Sequence, residues 1–421
     1  MNYSKLIRHT IESVLFYPQI FYSTVTMAKV LVETAGEKTR VPFLRGILIR
    51  SLQDAGINFD DALEFATSIR SELDDVAVIT TTELRKRIIN RLKRSFRQDL
   101  VRRYQDRKRS LMIQVEANDG QKAAFSLAEY CKCLETIGLR PDEAKSVAET
   151  VSEHFLKRKS SVIKSRYIAY FTYRFLRKSE NFGPAVAHRW LVWRDFIDSG
   201  RTIIYMIGGT AGCGKSTTAT DLASRLNIVR TQSTDMLREV MRVMVPRHLQ
   251  PILYESSYTA WEKLPYASKH SKKQEQLLID GYCSQADIMS VAIKAVVQRA
   301  LRENVSLIVE GVHVHPAYID NLVNSKETVV IPIMLGVIKR KKLQRRITGR
   351  STKVPQRRAE KYIKYFESIW GIQTYLLSEA DKADCTIIIN DSRDDVLREI
   401  MLTTINKLAE DFDKTPEEIF V

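Results

Sequence analysis

Glycine and proline are scarce in this chain, 16 and 11 of 421 residues, which leaves little material for long disordered linkers. Cysteine is scarcer still. Cys131, Cys133, Cys213, Cys283 and Cys385 form no C-x-x-C pair, so neither a zinc site nor a disulfide framework is expected and the setting reads as reduced and intracellular. No apolar run reaches the roughly 18 residues that a membrane-spanning helix needs. The opening residues 1–21 are interrupted by Glu12, Ser13 and Gln19. A cleaved secretory signal is therefore not expected, a mitochondrial targeting role stays open, and the expected location is the cytoplasm.

What the chain has in excess is positive charge, a net of +16. Two segments account for it. Arg85–Arg109 carries 12 Lys and Arg against Asp99 and Asp106, Lys339–Arg358 carries 10 and no acid, and the rest of the chain nets −4. The basicity is thus two local features and not a general nucleic-acid coat. The first reads as an amphipathic helix, apolar at Ile88, Ile89, Leu92, Phe96, Leu100, Val101 and Tyr104, with a solvated cationic face. Anionic lipid, RNA or an acidic partner are its other readings.

A length of 421 residues predicts two or three domains. At an offset of 82 residues the N-terminal half matches itself: Phe43 on Phe125, Leu52 on Leu134, Gly56 on Gly138, Ala62 on Ala144, Ala66 on Ala148, Asp61 on Glu143. After a two-residue shift Leu92 falls on Leu176. Each copy opens with an alternating strand-like stretch turning at Gly36 or Gly120, then takes on helical periodicity. A duplication is expected. The pattern resembles the ATP-cone, a small helical bundle capped by a β-hairpin that, in its family, binds nucleotide and regulates an attached enzyme. That family carries a Lys-Arg pair before the turn; here Thr34-Ala35 and Ala117-Asn118 stand there. A nucleotide effector site and a packing or dimerisation module, with a homo-oligomer as its consequence, both stay open.

The stretch "TIIYMIGGTAGCGKSTTATDLASRL" carries the chemistry. A continuous apolar strand, a glycine-rich loop and a helix surround Gly209-x-x-x-x-Gly214-Lys215-Ser216, the Walker A pattern. Gly209, Gly212 and Gly214 let backbone N–H groups turn toward phosphate oxygens at a helix N-terminus. Lys215 suits the β- and γ-phosphates of ATP, and Ser216 suits Mg²⁺. Downstream, "IVRTQSTDMLREVMR" predicts a second strand ending at Asp235 and then a helix with Arg238 and Arg242 on one face. A carboxylate facing the loop suits a general base for a substrate hydroxyl, and its alternative is a helix cap. Two arginines suit an anionic substrate, or a solvated face.

"SLIVEGVHVHP" predicts a buried strand ending at Glu310, placed to orient Mg²⁺ or substrate. His313 and His315 lack a third partner, so substrate contact or a structural hydrogen bond is expected at His313 before metal. The acid-free segment from Lys339 suits the closing lid of a small kinase. "ADCTIIIND" supplies a last strand. The fold class is therefore α/β, a P-loop kinase with a doubly wound parallel sheet, preceded by two small mainly helical ATP-cone-like domains. The expected segments are an extension over 1–24, repeats over 25–110 and 111–198, and a kinase domain over 199–421.

Residues 201 to about 395 resemble the 2-phosphoglycerate kinase family through "IGGTAGCGKST", "STDMLREVMR", "LYESSYTAW", "VEGVHVHP" and "KYFESIWGIQTYLLSEADKADCTIIIN". The resemblance implies transfer of the γ-phosphoryl of ATP to the 3-hydroxyl of 2-phosphoglycerate, giving 2,3-bisphosphoglycerate. It implies that Lys215, Ser216 and Thr217 handle ATP and Mg²⁺ and that Asp235 is the base. It places Arg238, Arg242, Tyr254, Ser256, Ser257 and Tyr258 around the acceptor and makes Arg346 and Arg350 the lid arginines. Ile347 stands where an aromatic is expected after Arg346. An inositol phosphate, another compact polyanion, suits the same arginines. Two other readings compete: a polynucleotide 5′-kinase, disfavoured because the basic segment lacks a stacking array, and a nucleotide-sensing scaffold without transfer.

Overall fold

The computed structural model describes residues 30–33, 40–53, 55–110, 113–157, 162–267, 273–319, 327–353 and 359–420; of 103, 106–110, 350–353 and 359–361 it describes the backbone. By its contacts the chain divides into two units at Leu111/Met112.

The first unit opens with strands β1 (Leu31–Glu33) and β2 (Arg40–Pro42), paired antiparallel. Helices α1 (Arg45–Gln53) and α2 (Phe59–Glu72) follow, then strand β3 (Val78–Thr80), parallel to β1, and helix α3 (Thr81–Ser95). The second unit repeats this order as β4 (Gln114–Glu116), β5 (Lys122–Ala124), α5 (Leu127–Glu135), α6 (Pro141–Leu156), β6 (Val162–Lys164) and α7 (Ser165–Lys178). Its pairings are the same, β4 antiparallel to β5 and parallel to β6. The third strand of each copy has no counterpart in the sequence reading, because three residues are too few to show alternation. The apolar residues matched between copies, from Phe43 and Phe125 to Leu92 and Leu176, are all buried. The turn at Gly36 lies outside the described residues.

The single basic helix expected over Arg85–Arg109 is instead two, α3 and α4 (Gln98–Ser110), broken at extended Phe96. The reason is angular. Val101 is nine residues after Leu92, and at 100° per residue a straight helix would point the two in opposite directions. The break lets Leu92, Val101 and Tyr104 enter one core with Phe65, whose ring lies 5.8 Å from that of Phe96.

Beyond α8 (Gly183–Ser199), the second unit builds a five-stranded sheet in the order β11-β10-β7-β9-β8, parallel throughout. Its strands are β7 (Thr202–Gly208), β8 (Arg230–Ser233), β9 (Leu307–Gly311), β10 (Thr328–Gly336) and β11 (Thr386–Ile389). Helices α9 (Lys215–Leu226), α10 (Thr234–Met244), α11 (Gln274–Arg302), α12 (Arg340–Lys353), α13 (Ala359–Lys364), α14 (Phe366–Lys382) and α15 (Arg393–Leu408) connect and cover them. This is the doubly wound P-loop kinase architecture. The fully buried β7 at the centre reads as an unbroken apolar run for that reason. Parallel order gathers the C-terminal ends of all five strands at one edge, where such sheets bind ligands.

The second repeat shares its core with the sheet. Leu134, Ile137 and Trp190 belong to the same buried cluster as Ile203, Leu222 and Ile400. At its edge Arg225 of α9 pairs with Glu135 of α5 at 2.7 Å, and Arg398 donates to the Gly138 carbonyl at 2.9 Å. No helix among the described residues is long and apolar enough to cross a membrane.

Candidate active site

The loop between β7 and α9 is shaped by what surrounds its glycines. Gly214 caps α9 at φ 95°, a conformation that costs little only without a Cβ, and the side-chain amide of Asn390 fills the space where one would lie. At Gly212 a Cβ would stand 2.8 Å from Ile347 Cγ1 and 2.9 Å from Leu343 Cδ1. Helix α12, which carries the expected lid arginines, therefore lies directly on the loop.

Lys215 is buried, and its Nζ donates to the Thr210 carbonyl at 2.8 Å. Ser216 and Thr217 sit exposed on the first turn of α9. The Ser216 hydroxyl donates to Glu310 Oε1 at 3.0 Å. Glu310 is the penultimate residue of buried strand β9, in register with Ser233 of β8. The Thr210 hydroxyl is buried with no hydrogen-bond partner among the described residues. An orphaned hydroxyl, a lysine that meets the Thr210 carbonyl and, at 3.9 Å, the Cys213 sulfur but no carboxylate among the described residues, and a glycine cradle at the N-terminus of a 12-residue helix fit a nucleotide phosphate chain.

Across β9 lies the second half of the site. Strand β8 stops at Ser233, two residues earlier than expected, because Ser233 caps α10 through Asp235 N–H at 3.3 Å. Asp235 therefore belongs to the first helical turn, where its carboxylate stays largely exposed, 3.4 Å from Arg238 Nη2. Arg238 is mostly enclosed: Nη1 donates to the Glu255 carbonyl at 2.8 Å, and Nε is buried without a partner among the described residues. Burial lowers the pKa of this guanidinium, with Asp235 opposing the shift. Arg242 donates to the Leu253 carbonyl at 2.7 Å and pairs with Glu239 at 2.6 Å.

The segment facing these arginines is held from both sides. The Tyr254 hydroxyl shares its one proton between the carbonyls of Arg242 at 2.6 Å and Val245 at 2.9 Å, so it is committed to backbone. Ser256 hydrogen-bonds Tyr258, whose ring packs against Tyr362 and Tyr365, and burial raises the Tyr258 pKa. Ser257 lies half-buried between them.

His313 is 1% exposed and fixes this arrangement from below. Gln285 Nε2 donates to the carbonyls of Ile252 and Glu255, which leaves Gln285 Oε1 to accept from His313 Nε2 at 3.0 Å. His313 Nδ1 then accepts from the Thr234 hydroxyl at 3.0 Å. Burial, reinforced by Arg238, holds the His313 pKa down to about 3, so the ring is neutral. Both its nitrogens are occupied by protein, and it joins the Asp235 turn to the Tyr254 turn. His315 is likewise engaged, with the Tyr375 hydroxyl and the Ala317 N–H at 3.2 Å each.

On α12, Arg346 Nη2 donates to Asn390 Oδ1 at 3.1 Å, while its Nη1 is buried without a partner among the described residues. Lys342 binds Asp391 through both its carbonyl and its carboxylate. Arg350 is on the same helix; its side chain lies outside the described residues. The sequence reading gave Asn390 no role, since a single asparagine after a strand carries no pattern of its own.

Comparison with known proteins agrees with this geometry. The chain is 33% identical over 286 residues to a 2-phosphoglycerate kinase of Methanopyrus kandleri, covering 68% of this chain and 84% of that one. It is 32% identical over 313 residues to that of Methanothermobacter thermautotrophicus, covering 72% and 99%. The chain belongs to the 2-phosphoglycerate kinase family. A third member, from Pyrococcus horikoshii, is 31% identical over 296 residues, 70% of this chain and 94% of the relative. No family model matches the sequence. As a member of this family the protein is an ATP-dependent phosphotransferase with an alcohol group as acceptor.

Proposed function

We propose that the chain transfers the γ-phosphoryl group of ATP, with Mg²⁺, to a hydroxyl of a small phosphorylated acid, 2-phosphoglycerate being the first candidate and 2,3-bisphosphoglycerate its product. The observation that carries this is Arg238. A guanidinium stripped of most of its water, with one N–H unpaired among the described residues beside an exposed carboxylate, suits an anionic group next to a reacting hydroxyl. The relatives' name supplies the candidate acceptor.

In this reading Lys215 and the loop N–H groups hold the β- and γ-phosphates, with Gly209, Gly212 and Gly214 giving the backbone its shape. Ser216 and Glu310 hold Mg²⁺, and Thr217 supports the nucleotide. Bound Mg-ATP supplies the phosphoryl group and offsets part of its charge. Asp235 accepts the proton of the acceptor hydroxyl. Arg238 and Arg242 bind the acceptor's phosphate and carboxylate, Ser256, Ser257 and Tyr258 line its other side, and Tyr254 and His313 keep the arginine-bearing helix in place. Arg346, with Arg350, steadies charge on the group in transfer.

The test is incubation with γ-labelled ATP and Mg²⁺ against 2-phosphoglycerate, 3-phosphoglycerate, inositol phosphates and 5′-hydroxyl RNA. Label should move to 2-phosphoglycerate, and Lys215→Ala and Asp235→Asn should abolish the transfer. Transfer to an inositol phosphate would keep the mechanism and change the substrate. ATP binding without transfer to any acceptor would make the protein a nucleotide-dependent scaffold.

A further inference from the structure

Asn390 is 7% exposed and stands directly after β11. Its Nδ2 donates to the Cys213 carbonyl of the phosphate loop at 2.8 Å, and its Oδ1 accepts from Arg346 at 3.1 Å. A carbonyl only accepts and a guanidinium only donates, so this orientation alone satisfies both neighbours. The backbone N–H of Asn390 is fixed as well, to the Gly336 carbonyl at 2.8 Å. One rigid amide therefore spans the loop and the lid helix.

The choice of amide over carboxylate has a consequence. Among the described residues no carboxylate pairs with Arg346, and the neighbouring Asp391 is taken up by Lys342 at 2.6 Å. A neutral acceptor orients the guanidinium and leaves its charge for another anion. Leu343 and Ile347, against Gly212, seat the same helix on the loop.

We propose that Asn390 is a positioning residue for phosphoryl transfer: it registers Arg346 against the phosphate loop while adding no counter-charge of its own. This rests on the role proposed above for Arg346.

The test uses the full chain as Asn390→Leu, Arg346→Ala and the double variant. Two quantities are followed: hydrogen exchange of the α12 amides without nucleotide, and kcat and KM for ATP with 2-phosphoglycerate. Each single variant should speed exchange in α12 by at least about tenfold. Each should lower kcat by about 10–100-fold with KM for ATP within about threefold. The double variant should be no worse than Arg346→Ala, since the two residues act in series. Asn390→Asp keeps an acceptor for Arg346 but removes the donor to the Cys213 carbonyl and adds a negative charge; it should lower kcat at least as much as Asn390→Leu, and wild-type turnover in Asn390→Asp would overturn the proposal. Arg346→Ala with full turnover would overturn the lid-arginine reading. An effect of Arg346→Ala with none of Asn390→Leu, or full additivity in the double variant, would overturn the proposal alone.

Discussion

The Ser216 hydroxyl donates a 3.0 Å hydrogen bond to Glu310 Oε1, joining the first turn of α9 to the end of β9. A hydroxyl and a carboxylate at this spacing are two oxygen donors of the kind a Mg²⁺ shell uses. Glu310→Gln keeps an acceptor for Ser216 and removes the charge. Turnover should fall by about 10²–10³-fold, and the Mg²⁺ concentration for half-maximal rate should rise. Titrating Mg²⁺ at fixed ATP checks this; an unshifted midpoint places Glu310 outside the metal's shell.

Arg238 gives a prediction that separates acceptor from nucleotide. Arg238→Lys retains the charge but loses the planar fork that reaches the Glu255 carbonyl and a substrate anion together. KM for 2-phosphoglycerate should rise by about 10–100-fold, a loss of ~1.4–2.7 kcal/mol, with KM for ATP little changed. Steady-state kinetics with each substrate varied decides it. An equal rise in both constants would mean that the variant disturbs the site as a whole.

His313 makes stability depend on pH. Its folded pKa of about 3 lies below the ordinary 6.5, so protonation favours the unfolded chain. Stability is complete above about pH 6.5 and is lost as pH falls from there toward 3, by up to ~1.4 kcal/mol per unit. Between pH 7 and 5.5 this one group should cost about 1 kcal/mol. Urea unfolding of the wild type and His313→Gln at both pH values checks it: the variant should lose less on acidification. An equal loss in both would show that His313 titrates normally in the fold.

The phosphate loop was legible because its chemistry is local: glycines, a lysine and a serine at fixed spacing between an apolar strand and a helix. The duplication was legible for the same kind of reason, since buried positions such as Leu52 and Leu134 recur at one offset. Asn390 was not, because its meaning depends on the Cys213 carbonyl, 177 residues away in the chain. The end of β8 was misplaced by two residues because Ser233 both ends a strand and caps a helix. The break at Phe96 was hidden by a periodicity that a single helix explains almost as well, until the angle between Leu92 and Val101 is worked out.

The contact between Glu135 and Arg225 bears on the phosphate loop, because Arg225 sits on the helix that Lys215 begins. Both side chains are largely withdrawn from water, and burial raises the Glu135 pKa while Arg225 opposes it. Removing one partner should strand the other charge, whereas replacing both with apolar residues removes the desolvation cost together with the attraction. Glu135→Ala or Arg225→Ala should therefore destabilise the second unit by about 3 kcal/mol, and Glu135→Leu with Arg225→Met by less than about 1 kcal/mol. The single variants should also weaken ATP binding, since the helix that presents Lys215 loses its support from the second repeat. Urea unfolding combined with ATP titration tests both parts. A double variant as unstable as the singles would mean that the ion pair itself, and not the relief of an unpaired charge, holds the repeat to the kinase core.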